Sequence, residues 1–338
     1  MTLSFSSLND YLSAITSIPA ADDHARKQAQ DRQGQLTKPP GSLGRLEDLA
    51  IWMASWQGTE KPKLTAPACL IFAGNHGVAS LGVSAFPAEV TAQMVGNFAA
   101  GGAAINQLTA AAGTSLDVIA LDLDNPTADF TQSAAMSVDE TLDAMTQGAA
   151  AIPQDADLVL VGEMGIANTT AAAAVGLATL GGSAADWVGP GTGVDADGIS
   201  LKADVITKGV ALHKDAMTNG LAVLASVGGR ELAAIAGAVL AARHRNIPVL
   251  LDGFISTASA LPLLMDNPAA LEHCQISHRS QEPGHHKIIE KTGKMPIIDL
   301  GLRLGEGSGA ATALPIIRAA VATHSGMATF AEAGVSDG

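Results

Sequence analysis

Apolar residues in this chain fall into short unbroken runs that stop at glycine or a polar turn. Residues 158–161 (LVLV) end at Gly162, and Glu163 follows at once. Residues 68–78 (ACLIFAGNHGV) repeat the pattern and leave Asn75 and His76 at the end of the run. Further runs occupy 115–121, 248–251 and 296–299. Runs this short, bounded by turn residues, read as buried strands, and the alanine-rich stretches between them carry helical spacing. Strands alternating with helices predict an α/β fold, a parallel, doubly wound sheet with helices on both faces.

The amino-terminal part follows a different rule. Residues 8–35 carry a helical pattern; Pro39, Pro40 and Gly41 then break it, and Ser42 is placed to cap a new helix in which Leu43, Leu46, Leu49, Ala50 and Met53 recur at helical spacing. This region predicts a small helical domain over 1–60, completed by 310–338 at the other end of the chain, against an α/β catalytic domain over 61–309.

Composition narrows the function classes. Apolar residues make up 47% of 338 and aromatic residues only 3%, so a core must be built from small aliphatic side chains packed around 36 glycines. A formal charge of −14, with 19 Lys and Arg, argues against nucleic acid or an anionic membrane as partner. The amino terminus MTLSFSSLNDYLSAI has no basic leader, and no window reaches the length of a membrane span. Two cysteines, Cys69 and Cys274, stand far apart without metal-type spacing, as two buried thiols in a reducing cytoplasm would.

Candidate chemistry gathers at the strand ends. After Glu163, the short polar side chains of Asn168, Thr169 and Thr170 are the type that caps helix N-termini, and a helix N-terminus at the carboxyl end of a strand favours phosphate. An ordinary strand–turn–helix corner has the same appearance. In VGPGTGVDADG, Gly189, Gly191, Thr192 and Gly193 are able to wrap backbone amides round an anion, although the stretch is neither a Walker A loop nor GxGxxG. Asp195 and Asp197 resemble the start of a calcium loop whose later ligands are missing. His278, Arg279, Ser280, His285 and His286 crowd into eleven residues, which fits loop or phosphate-contact roles better than a metal site, because no third ligand is spaced for one. Glu306 lies between two glycines; partial burial there would raise its pKa towards that of a working base, while a plain first-turn helix residue would look the same. His76 reads most simply as a satisfied structural group. Phe86, Met94 and Phe98, on or near a glycine-rich loop, are candidates to line a pocket for a flat apolar ligand.

Seven segments in order, KPPGSLGRLEDLA, FAGNHGV with GVSAFPAEVTAQM, GEMGIANTTAAAA, VGPGTGVD, LDGFISTASA, SHRSQEPGH and LGLRLGEGSGAA, together resemble the nicotinate-nucleotide–dimethylbenzimidazole phosphoribosyltransferase family. The resemblance runs from about residue 38 to the end. It implies a Rossmann-like parallel sheet with a smaller helical domain, a homodimer with active sites near its interface, and no cofactor or metal. It also implies transfer of the ribosyl phosphate of nicotinate mononucleotide to 5,6-dimethylbenzimidazole, giving α-ribazole 5′-phosphate and nicotinate. Glu306 then becomes the general base, and Glu163 helps hold the acceptor or ribosyl group. Gly165, Asn168, Thr169, Lys202, Ser280 and Leu304 become substrate contacts, with Thr170, Arg303 and Gly305 beside them and Ser84, Phe86, Gln93 and Met94 on the acceptor loop. Two other classes compete. A nicotinamide-dependent oxidoreductase would need GxGxxG after its first strand, which is missing, and a nucleotide-sensing module would have no use for two carboxylates at strand ends.

Overall fold

A computed structural model describes residues 3–336. Met1, Thr2, Asp337 and Gly338, the outer ends of the expected helical domain, lie outside the described residues. Five parallel strands form one sheet in the order β2-β1-β3-β4-β5. They are β1 (Pro67–Ala73), β2 (Ser115–Ala120), β3 (Leu158–Met164), β4 (Val249–Leu251) and β5 (Cys274–Ile276). The chain contributes α1 (Leu8–Thr16), α2 (Asp23–Gln33) and α3 (Arg45–Gln57) before β1. Between β1 and β3 come α4 (Glu89–Ala99), α5 (Ala104–Ala112) and α6 (Val138–Ala150). Then follow α7 (Asn168–Leu180), α8 (Ala196–His213), α9 (Gly220–Val227) and α10 (Arg230–His244) ahead of β4, and α11 (Phe254–Ala260) and α12 (Leu263–Asp266) behind it. α13 (Pro283–Thr292), α14 (Ser308–Gly326) and α15 (Phe330–Ala333) close the chain.

Both faces of the sheet are covered, and the strands show it residue by residue. Leu70, Phe72, Val159, Val161, Val249 and Leu251 point into one core with the helices α6, α7, α9, α10 and α11. Their neighbours Cys69, Ile71, Leu158, Leu160 and Leu250 point into the other, with α3, α5 and α14. Side chains alternate across a strand, so a strand buried on both faces must be apolar at every position. β2 lies at the edge and is only partly buried.

Local chemistry fixes the helix ends. Ser137 and Glu140 form a reciprocal capping box at α6, and Asp22 and Asn219 cap α2 and α9. Asp195 caps α8 by accepting from Gly198 N at 3.0 Å, so the aspartates that resemble a calcium loop begin a helix.

Four expectations need correction. The fifth strand is Cys274–Ile276, not 296–299; Ile298 makes a single bridge to His278 and goes no further. Residues 8–35 divide into α1 and α2, because Pro19 cannot continue a helix. Gly44, not Ser42, precedes α3. Asn168, Thr169 and Thr170 do not cap α7: they already lie inside the helix, behind Ala167 in the left-handed region at φ +73°.

Candidate active site

The parallel ladder pairs Val161 with Leu251, the last residue of β4, so Gly162, Glu163 and Met164 at the end of β3 lie beside the residues that leave β4. These residues share the carboxyl edge of the sheet, where open parallel sheets bind ligands. Glu163 extends from β3, buried, with Asn168 donating from Nδ2 to Oε2 at 2.5 Å. Asn168 has thus turned back from the helix start to hold a carboxylate. Burial pushes Glu163 up to about 8 against that bond, with help from the charges of Asp252, Glu231 and Glu306.

The Glu306 turn is pressed onto this strand end. Gly305, Glu306 and Gly307 adopt φ +81°, +59° and +72°, three successive left-handed residues. A Cβ on Gly305 would stand 2.5 Å from Glu163 Oε1, and one on Gly162 would collide with the Gly307 nitrogen. Only glycine fits at either place, because the backbone there is in close contact with its neighbours. Glu306 is 8% exposed. Its carboxyl is held above the usual carboxylate range, first by burial and then by the negative charge of Asp252.

The mid-chain glycine loop completes the arrangement. Lys202 is buried, with Nζ 3.3 Å from Thr169 Oγ1 and 3.3 Å from the Gly189 carbonyl. Burial pulls its pKa down, while Glu282 opposes the shift. Gly191 N donates to Glu282 Oε1 at 3.2 Å, and Arg303 Nη1 donates to the Gly191 carbonyl at 3.3 Å. Arg303 thereby joins the loop to the Glu306 turn three residues away. Thr192 Oγ1 lies 3.1 Å from Ser84 Oγ and accepts from Ala85 N at 3.2 Å, which ties the loop carrying Phe86 to the cradle. Phe86 and Leu304 are exposed at 52% and 56%, two apolar side chains left open to solvent on segments that Thr192 and Arg303 tie to this loop. Gly193 is left-handed at φ +112°, Gln93 is exposed, and Met94 packs at the margin of the core formed with α3, α5 and α14.

Gly165 and Thr170 stand further in. A Cβ on Gly165 would approach the Gly74 carbonyl at 2.7 Å and Glu231 Oε1 at 2.9 Å, so this glycine lets β1 and β3 end in contact. Thr170 is fully buried and its hydroxyl has no partner among the described residues. His76 Nε2 meets Glu231 Oε1 at 2.5 Å, both buried, while His76 Nδ1 and Glu231 Oε2 have no partner among the described residues. In the histidine-rich segment, Ser280 N donates to His285 Nδ1 at 3.0 Å, and burial holds His285 down to about 3, a neutral acceptor that shapes the loop. Ser280 Oγ in turn accepts from Glu282 N at 3.3 Å. Among the described residues no group of three His, Cys, Asp or Glu side chains is arranged to hold a metal ion.

Glu282 and Thr91 were not legible as parts of this site, and Asp252 stood out only as the polar residue ending the run 248–251. Thr91 Oγ1 accepts from Ile166 N at 3.1 Å and fixes α4 to the turn after β3. Asp252 follows its apolar run directly, as Gly162 and Glu163 follow 158–161. Cavities of about 530, 990 and 550 Å³ open beside Arg245, between Lys38 and Phe330, and beside Trp52; none is lined by a residue of the site.

A doubly wound sheet with buried carboxylates and a lysine-backed glycine loop at its carboxyl edge has the layout of α/β proteins that bind ligands at their strand ends. A family model described as phosphoribosyltransferase matches residues 18–335. Nicotinate-nucleotide–dimethylbenzimidazole phosphoribosyltransferase of Novosphingobium aromaticivorans is 57% identical over 334 residues, covering 99% of each chain. The enzyme of the same name from Ruegeria pomeroyi is 56% identical over 331 residues, 98% of each. The crystal structure of CobT from Thermus thermophilus superposes with a TM-score of 0.87 at 42% identity, covering 93% of this chain and 100% of that one. The chain belongs to the nicotinate-nucleotide–dimethylbenzimidazole phosphoribosyltransferase family. No helix among the described residues is long and apolar enough to cross a membrane.

Proposed function

We propose that this enzyme moves the 5-phosphoribosyl group of nicotinate mononucleotide to 5,6-dimethylbenzimidazole, releasing nicotinate and forming α-ribazole 5′-phosphate for the lower ligand of cobalamin, with Glu306 as general base. The observation that carries the reading is a buried glutamate, locked in a left-handed turn, pressed against the Glu163 strand end and tied through Arg303 to a cationic glycine loop.

In the nucleotide the nicotinate ring is a pyridinium; breaking its bond to the ribose returns the electron pair to the ring nitrogen and releases a neutral pyridine ring, so no general acid is needed. Attack by one ring nitrogen of the benzimidazole from the opposite face of the ribose inverts the anomeric carbon and gives the α product. Positive charge builds on the acceptor ring as the bond forms. A carboxylate hydrogen-bonded to the other ring N–H accepts that proton and stabilises the transition state more than the ground state. A pKa raised by burial gives Glu306 more affinity for the proton it takes. Glu163, protonated at neutral pH, is suited to donate a hydrogen bond to the ribose or the acceptor.

Lys202, Thr169, Ser280 and the amides of Gly189 and Thr192 hold the 5′-phosphate and supply mainly positioning, while Gly191 and Gly193 shape the loop, their amides already given to Glu282 and to the Pro190 carbonyl. Gly165, Asn168, Thr170, Arg303 and Gly305 shape that pocket, and Ser84, Phe86, Gln93, Met94 and Leu304 receive the acceptor. Two copies associate near the site, a reading supported by exposed Leu304, two residues before Glu306, and exposed Leu300 in the segment leading to it. A cytoplasmic setting is in keeping with two free buried thiols. Residues 1–60 with 310–338 act as a small helical unit against the 61–309 body, supported by the bridge between Leu36 and Thr329.

Incubating the protein with both substrates and following nicotinate tests the reading. Wild type should release nicotinate only when the acceptor is present, and Glu306→Gln should lose about 10²–10⁴-fold in turnover. No acceptor-dependent release by wild type would sink the substrate assignment, and near-normal turnover in E306Q would remove Glu306 from the chemistry.

A further inference from the structure

Asp252, at the carboxyl end of β4, is 1% exposed. Its ion-pairing partner among the described residues is His278, with Nε2 3.8 Å from Oδ1. Taking a carboxylate out of water is strongly unfavourable unless hydrogen bonds replace its hydration. Here backbone amides do so: Gly307 N donates to Oδ2 at 3.1 Å and Ala310 N to Oδ1 at 2.8 Å. Both amides open α14, whose own N-cap, Gly307, has no side chain to offer. A residue from another strand therefore caps the helix.

Gly307 cannot carry a capping side chain of its own, because it is buried and left-handed and a Cβ there would stand 2.9 Å from Ile71 Cδ1, so the cap has to come from β4. What it fixes in addition is the turn ahead of the helix. Glu306 is the non-glycine member of three consecutive left-handed residues, a conformation that side-chain-bearing residues keep only when their surroundings impose it. Contact with Gly162 holds the turn from the β3 side, and Asp252 holds it from the β4 side.

We propose that Asp252 is a positioning residue for the transfer reaction, gripping Gly307 and Ala310 from β4 so that Glu306 stays in the left-handed turn that presents its carboxylate to the acceptor. This rests on Glu306 being the base. Asp252 touches no reacting atom; it acts through Glu306.

The test is a cycle on the full chain, with wild type, D252N, E306Q and D252N/E306Q assayed for nicotinate release. D252N should lower kcat about ten- to a hundredfold while KM for nicotinate mononucleotide stays within about threefold. In the E306Q background it should cost less than about twofold more, because the group it positions is gone. A wild-type kcat in D252N, or its full penalty repeated in E306Q, overturns the proposal while leaving Glu306 as the base. A fully active E306Q overturns both. A second readout is independent of activity. Glycine adopts the left-handed region freely, so D252N/E306G should recover at least about half of the melting temperature that D252N loses, and should fold even if D252N alone does not. No recovery would reduce Asp252 to an ordinary structural cap and overturn the proposal.

Discussion

Glu163 carries the residue-scale lesson, because its neighbours set its charge more than its own chemistry does. Buried at the end of β3 beside Asp252, Glu231 and Glu306, it is pushed from 4.5 to about 8. The folded protein therefore keeps a proton that the unfolded chain releases. Stability from this group is complete below pH 4.5 and fades as the pH rises towards 8. Glu163→Gln keeps the shape and the bond from Asn168 but cannot titrate. Denaturant melts at pH 5 and pH 8 should show a flatter profile for the variant, which should exceed wild type at pH 8 by on the order of 3–4 kcal/mol. Parallel profiles would mean that Glu163 is ionised in the fold. The sequence placed Glu163 and Glu306 after buried strands or between glycines, where partial burial is expected. It did not reveal that the turn carrying Glu306 is pressed against Glu163 through Gly305, since 143 positions separate the two glutamates and only the sheet closes that distance.

At the scale of elements, helix positions and turn signals were readable, while the packing between helices was not. α6 and α10 illustrate the difference. A Cβ on Gly148 would run into the Ala234 carbonyl, and one on Gly237 into the Met145 carbonyl, so the two helices touch backbone to backbone. Glycine inside a helix is ordinarily worse than alanine by about 1 kcal/mol. Here the order should reverse: Gly148→Ala is expected to destabilise by about 1–3 kcal/mol through overpacking, read as a lower urea midpoint with an unchanged slope. A stabilised variant would show that α6 can move away from α10. Strands obey the same division. Residues 158–161 announce themselves as an apolar run, whereas β5 is the three residues Cys-Gln-Ile, too short and too polar in the middle to stand out. The apolar 296–299 looks more like a strand, yet it meets only the last residue of the edge strand β5 and the residues just beyond it, where it makes one bridge and no continuous ladder.

Across the whole molecule, the two ends of the chain are fastened together. Arg32 is buried and donates from Nε to the His324 carbonyl at 2.9 Å and from Nη2 to the Met327 carbonyl at 2.8 Å. His324 also pairs with Gln33 through Nδ1 at 2.8 Å. Arg32→Ala leaves two carbonyls without a donor and should cost on the order of 2–4 kcal/mol, since bonds from charged donors are the stronger kind. Activity per folded molecule should be unchanged, since none of these groups belongs to the site. A melting curve beside an activity assay on the folded fraction checks both halves, and a loss of turnover without a loss of stability would contradict the assignment. The helices of residues 1–60 serve both faces of the sheet: Tyr11 and Ile15 enter one core, and Leu49, Met53 and Trp56 the other.

By itself the sequence determined the class of fold, the helical character of the amino-terminal part and the short list of residues able to do chemistry, because hydrophobic periodicity, glycine and charge act locally along the chain. Only the tertiary structure decided which of them meet. Asp252 became visible as a clamp, Asn168 as the holder of a carboxylate and Arg303 as the link between two loops once β3 and β4 lay in register, for a hydrogen bond between residues far apart in sequence has no signature in either segment until the fold sets them side by side.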